Sequence, residues 1–313
     1  MLRVRWKSGV LIVLTFIGAA IAQTGGLDRL HDSATFRSKA DMVLINAIVL
    51  DRQNRPVRGL TQSNFRLLDE KAEQQIRYFG EEDRPVSLVI VFDASGSMGF
   101  QLSRSREAVA RVLSHPQADD EFALITFSDR PTLETSWTDN PAEVQNRLIG
   151  FDAHGRTPLL DAIQLGLKQF ASARNPRHAL LIFSDGGDNR SSLKEHDLAR
   201  ILEETDAQVY AFDVADPADA GIKLPEEETG GNLLDRLSER AGGRYFQVHT
   251  AKDIAAAADQ ASKEIRSQYV LGYKPESGHD DGRFHHVQLK LLPPAGSQHL
   301  SVYWRRGYRT PSD

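Results

Sequence analysis

Three regimes of apolar and polar spacing succeed one another along the chain. From residue 40 the spacing is that of β structure. Residues 42–50 predict a strand, stopped by a turn-like stretch at 51–56. Thr61 predicts the cap of one short helical turn running to Phe65. Residues 65–68 and 75–79 predict two strands around a charged turn at 69–73, and 81–85 reads as a linker. From Ser87 the pattern changes. Short unbroken apolar runs at 88–92 and 179–183, and strand-like stretches at 121–127 and 208–214, alternate with segments of helical spacing at 104–114, 141–149, 158–173, 193–205, 232–241 and 251–267. Unbroken apolar runs bounded by turn residues predict strands buried on both faces, as in a parallel sheet. Residues 132–137 predict an edge strand, 244–248 a short strand and 215–231 a long loop carrying Glu226, Glu227 and Glu228. The last regime returns to β spacing at 269–273, 284–291 and 300–305. In its middle strand Val287, Leu289 and Leu291 alternate with His286, Gln288 and Lys290, so one face is wet.

Strands alternating with helices imply a right-handed, doubly wound sheet. Its helices run antiparallel to its strands, so the last helix ends at the edge where the first strand begins. The chain therefore enters and leaves the α/β section at one edge, and the two flanking β segments meet there. Each flank is only about 45 residues, near the size at which a core becomes too small to fold alone. The expected fold class is α/β: a doubly wound, mainly parallel sheet inserted into a small antiparallel β-sandwich built from the N- and C-terminal segments. The expected boundaries are 40–82 and 269–310 for the two halves of the sandwich and 85–268 for the inserted domain.

The first residues change the picture of where the chain works. Arg3, Arg5 and Lys7 precede an apolar stretch at 10–17, and Ala20-Ile21-Ala22 fits a cleavage site before Gln23. Residues 1–22 are expected to be an export signal and 23–39 an irregular lead. The alternative is an uncleaved membrane anchor, for which the uncharged stretch at 8–26 is barely long enough. The formal charge is −5, and removing a basic leader makes the chain more acidic still. That balance, without a basic stripe interleaved with aromatics, argues against nucleic acid as a partner. The chain has no cysteine, which excludes disulfides, thiolate zinc sites and cysteine nucleophiles. An exported chain that needs no oxidation fits a bacterial envelope, at the periplasm, the cell surface or outside the cell.

The candidate chemistry lies at the ends of the buried strands. The run at 88–92 stops in Asp93-Ala94-Ser95-Gly96-Ser97, one carboxylate and two hydroxyls at alternate positions. In open α/β sheets the carboxyl ends of strands carry the ligand sites. Hard oxygen donors suit Mg²⁺ or Mn²⁺ rather than zinc. Taken alone, an Asp-x-Ser-x-Ser run also reads as an ordinary turn or helix cap. Two later stretches join it: Thr157 just before a helix, with Pro158 suited to its first turn, and Asp185-Gly186-Gly187 closing the run at 179–184. Over residues 85–268 the chain resembles a von Willebrand factor type A domain. Asp93, Ser95, Ser97, Thr157 and Asp185 match the five positions of that family's metal-ion-dependent adhesion site, in order and separation. The whole layout is also similar to bacterial proteins related to this family.

The resemblance implies that Ser95 and Ser97 bind the metal directly and Thr157 directly or through water. It implies that Asp93 and Asp185 act mainly through water. An ion held this way keeps an electrophilic position for an Asp or Glu carboxylate of a partner protein. The expected function is therefore an exported, metal-dependent adhesion or assembly module, not an enzyme. A metal-dependent hydrolase and an envelope protein with a merely stabilising metal are the alternatives. Other chemistries fail on particular residues. A haloacid-dehalogenase-type phosphatase wants a second Asp where Ser95 stands. Neither serine has the Gly-x-Ser-x-Gly elbow, and no phosphate-binding P-loop is present. Adjacent His285 and His286 point to opposite faces of a strand, so they do not readily share a metal. Asp161, one turn after Thr157, is either a loop-orienting group or a helix-start carboxylate favoured by the dipole. Asp188 and Asn189 read as turn residues.

Overall fold

The computed structural model describes residues 42–214, 225–275, 282–294 and 299–310. The expected leader and lead (1–39), residues 40–41 of the expected sandwich and residues 215–224 of the expected loop lie outside them. Among the described residues no helix is long and apolar enough to cross a membrane.

The α/β section is built on a six-stranded sheet. Its strands are β5 (Val86–Asp93), β6 (Glu121–Phe127), β7 (Pro131–Thr138), β8 (Arg177–Ser184), β9 (Gln208–Asp213) and β10 (Arg244–Gln247), in the spatial order β10-β9-β8-β5-β6-β7. All pairs are parallel except β6–β7, whose antiparallel partner closes one edge. Alternate residues of β5 explain the two layers. Leu88, Ile90 and Phe92 pack under α1 (Leu102–Val112), α2 (Pro141–Leu148) and α6 (Ala251–Arg266). Val89 and Val91 pack under α3 (Leu159–Gln169), α4 (Glu195–Glu204) and α5 (Pro225–Arg240). A strand covered on both faces carries no polar alternation, and every residue of β5 is buried.

The sandwich is made of two four-stranded sheets. One has the order β13-β1-β11-β4, from β1 (Val43–Leu50), β4 (Ile76–Glu82), β11 (Gln268–Tyr273) and β13 (Ser301–Trp304). The other has the order β14-β12-β2-β3, from β2 (Phe65–Asp69), β3 (Ala72–Gln74), β12 (Phe284–Leu291) and β14 (Gly307–Arg309). Each sheet mixes strands from both ends of the chain: β1 pairs with β11, β4 with β11, and β2 with β12, all antiparallel. The fold class expected from the sequence is thus the observed one. Strand β1 serves two cores by its period of two. Ile45, Ala47 and Val49 face the sandwich interior, whereas Ile48 and Leu50 join the α/β core.

The structure corrects the expected elements in four places. The turn after β2 is two residues, Glu70 and Lys71, both with positive φ, which leaves room for β3. The expected linker begins as strand: β4 continues to Glu82, which pairs with Gln268. An unforeseen last strand, β14, pairs with β12. Helix α5 starts at Pro225, so the second half of the expected loop is helical. The short turn capped by Thr61 is present as a 3₁₀ helix at Gln62–Asn64, with the Thr61 amide donating to Asn64 Oδ1 at 2.9 Å.

Candidate functional site

Strands leave the centre of the sheet in both directions: β6 and β7 lie on one side of β5, and β8, β9 and β10 on the other. The crevice between the carboxyl ends of β5 and β8 is the point where strand order reverses, the usual ligand position of such sheets. Phe92 and Phe183 are register partners. Asp93 therefore emerges beside Ser184, with Asp185 following.

Asp93 is fully buried. One of its oxygens accepts the Ser95 amide at 2.8 Å and the other accepts the Ser184 hydroxyl at 2.5 Å. Burial, and after it the charge of Asp185, push its carboxyl up to about 7 against the pull of Ser184 and Ser95. Ser95 is buried and Ser97 exposed, and their hydroxyls lie 3.3 Å apart in the turn that opens the 3₁₀ helix Gly96–Met98.

Backbone hydrogen bonds stitch the three site loops together. The Gly96 amide donates to the Gly155 carbonyl at 3.1 Å, and the His154 amide to the Ala94 carbonyl at 3.0 Å. Thr157, nearly buried, is gripped from the third loop. Its amide donates to Asn189 Oδ1 at 3.0 Å, and its carbonyl accepts the Asn189 amide at 3.1 Å. The same loop caps α3. Asp188 accepts the Leu159 amide, and the Ser191 hydroxyl accepts those of Leu160 and Asp161, so groups that a helix start leaves without partners are satisfied from another loop. Asp161 returns the grip, accepting the amides of Ser192 and Leu193, both at 2.9 Å. It therefore orients the loop, one of the two roles open to it from the sequence. Gly186 has φ +82° and lies against Gly230 of α5, so close that a Cβ on Gly186 would stand 2.4 Å from the Gly230 carbonyl carbon. Only glycine fits there.

The structure thus brings the loops carrying Asp93, Ser95, Ser97, Thr157 and Asp185 to one edge of the sheet. Sequence reasoning missed Ser184, the hydroxyl that holds Asp93, and the clamp of Asp188, Asn189 and Ser191. The signal available for these was a second run of carboxylates, amides and hydroxyls after a buried strand. As a donor set, two carboxylates and three hydroxyls fit a hard divalent cation. The mutual repulsion of two buried carboxylates is what such an ion relieves.

Residues 88–187 match the family model for the von Willebrand factor type A domain. Bovine inter-alpha-trypsin inhibitor heavy chain H4 is 30% identical over 107 residues, which cover 31% of this chain and 12% of that protein. An uncharacterized Synechocystis protein, sll0103, is 28% identical over 118 residues, covering 35% of this chain and 28% of its own length. The chain thus spans only a minor part of each relative. Among solved structures, von Willebrand factor type A from Catenulispora acidiphila covers 87% of this chain and 73% of its own, at 13% identity and a TM-score of 0.48. The vWF domain of the type V pili tip protein Mfa5 from Porphyromonas gingivalis covers 58% and 95%, at 12% identity and a TM-score of 0.46. By the family match, the chain carries a von Willebrand factor type A domain within its α/β section.

Proposed function

We propose that this chain is an exported binding protein whose α/β section holds Mg²⁺ or Mn²⁺ and, through that ion, an acidic residue of a partner protein. The observation that carries this reading is Asp93: a buried carboxylate, repelled by Asp185 and set among hydroxyls. Ser95, Ser97 and Thr157 would complete the donor set with Asp93 and Asp185. The bound ion would supply a Lewis-acidic position for a carboxylate. The protein's own residues supply the rest. Ser184 and the Ser95 amide fix the Asp93 carboxylate, and the Asp188–Ser191 clamp fixes Thr157. Phe100, 86% exposed just after the Gly96–Met98 turn, offers an apolar contact beside the site. The pattern of residues 1–22 supports export. The five residues are carboxylates and hydroxyls, the donor types of a cation site, and include no imidazole or amine base, so the reading is binding and not catalysis.

The test is a pull-down from bacterial envelope extract with immobilised protein, in Mg²⁺ and in EDTA, alongside calorimetric titration with Mg²⁺ and Mn²⁺. The reading expects heat of metal binding, and capture that disappears both with EDTA and in Asp93→Ala. Capture equal in all arms would remove it.

A further inference from the structure

A second polar cluster lies far from the adhesion-type site, in the sandwich, where β2 turns into β3. Asp69 ends β2 and is 2% exposed. Its Oδ2 accepts two phenols, Tyr273 from the opposite sheet at 2.9 Å and Tyr308 of β14 at 2.8 Å. Its Oδ1 is buried and accepts no hydrogen bond among the described residues. Glu70, exposed in the turn, and His285 of β12 stand next to it. One ligand atom from each of the three residues lies within 4.8 Å of the others.

The backbone holds these groups in place. The Glu70 amide donates to the His286 carbonyl at 3.0 Å, and Glu70 Oε1 accepts the His286 amide at 2.7 Å. His285 turns inward while His286 turns out, and the His285 ring stacks on Tyr308 with centroids 5.2 Å apart. A carboxylate that served only as acceptor for the two tyrosines would use one oxygen and need no imidazole beside it. Here the oxygen without a partner is the one left to face a cation, and the two phenols orient the carboxylate as outer partners orient metal ligands.

We propose that Asp69, Glu70 and His285 hold a divalent transition-metal ion of zinc's class, distinct from the hard cation read at the α/β edge. One imidazole nitrogen with two carboxylates suits zinc better than magnesium, and three protein ligands leave a fourth position for water. Such an ion would tie β2 to β12, joining the N- and C-terminal halves of a small sandwich that has no disulfide to do so.

The experiment is equilibrium dialysis of the full chain against Zn²⁺, in an Asp93→Ala background so that the other site does not report. Glu70→Gln and His285→Gln are added to that background, and circular dichroism checks each fold. The proposal expects one equivalent of Zn²⁺ bound by Asp93→Ala and at least a tenfold weaker affinity in each added variant. Co²⁺ in place of Zn²⁺ should give visible absorption that His285→Gln abolishes. No Zn²⁺ bound by Asp93→Ala, or affinity kept by either folded variant, overturns the site. If His285→Gln does not fold, exposed Glu70→Gln decides alone. Failure here leaves the Mg²⁺ reading untouched, because that reading is tested on the protein with Asp93 intact.

Discussion

Asp93 and Glu264 are both buried acids pushed up to about 7, with different causes and different consequences. At Asp93 a second carboxylate adds to burial. Mg²⁺ should therefore raise the melting temperature of the wild type, by about 2.7 kcal/mol of stability at a hundredfold excess over Kd. Asp93→Asn should lose that shift, as melting with and without Mg²⁺ would show. At Glu264 burial outweighs the attraction of Arg244, 3.2 Å away, and the donated bond of Gln260. Its folded pKa lies above the unfolded value, so the folded state binds the proton more tightly. The stabilisation is complete below about pH 4.5 and is lost as pH rises to about 7, roughly 3 kcal/mol at 1.36 per pKa unit. Urea unfolding across that window should show the wild type falling relative to Glu264→Gln. Asp93 and Asp185 stood out in the sequence because they close buried strands, and Thr157 because it stands just before a helix. Asp69 and His285 were not legible as neighbours. They lie far apart in sequence, and only the pairing of β2 with β12 brings them together.

At the scale of elements, α3 illustrates how a helix start is borrowed. Its first amides are satisfied by Asp188 and Ser191 rather than by its own N-cap, Pro158, whose side chain has no acceptor to offer. Ser191→Ala should cost about 1–2 kcal/mol of stability. It should also weaken Mg²⁺ affinity, since the same loop grips Thr157. Thermal melts and calorimetry on one preparation would check both effects. The buried strands were legible because an unbroken apolar run admits few readings. Helix α5 was misread at its start: Gly230 and Gly231 look like loop residues, yet they lie within the helix, where Gly186 needs close approach. That is a tertiary demand invisible to local spacing. The turn at Glu70 and Lys71 escaped for a related reason, since two non-glycine residues adopt positive φ there.

For the whole molecule the main fact is that the sandwich and the α/β section share core. Ile48 and Leu50 of β1 belong to the hydrophobic cluster of β5, α1 and α6. The two parts should therefore unfold in one calorimetric transition, and Ile48→Ala should lower it as a whole, by about 2–5 kcal/mol. Two separated peaks would contradict the shared core. The insertion itself was legible from the direction of the last helix, but the sharing was not, because it depends on both faces of one strand finding partners. The same connection has a mechanical meaning. β4 leads within a few residues into β5, which ends at Asp93, and β11 follows directly from α6. A tug delivered at Asp93 travels down β5 into β4, an edge strand held by β11 alone in its sheet. Where such a pull runs along the β4 axis, it loads the β4–β11 ladder lengthwise. The β4–β11 hydrogen bonds would then be sheared together instead of being peeled one by one, so under the proposed binding reading the sandwich is arranged to resist tension.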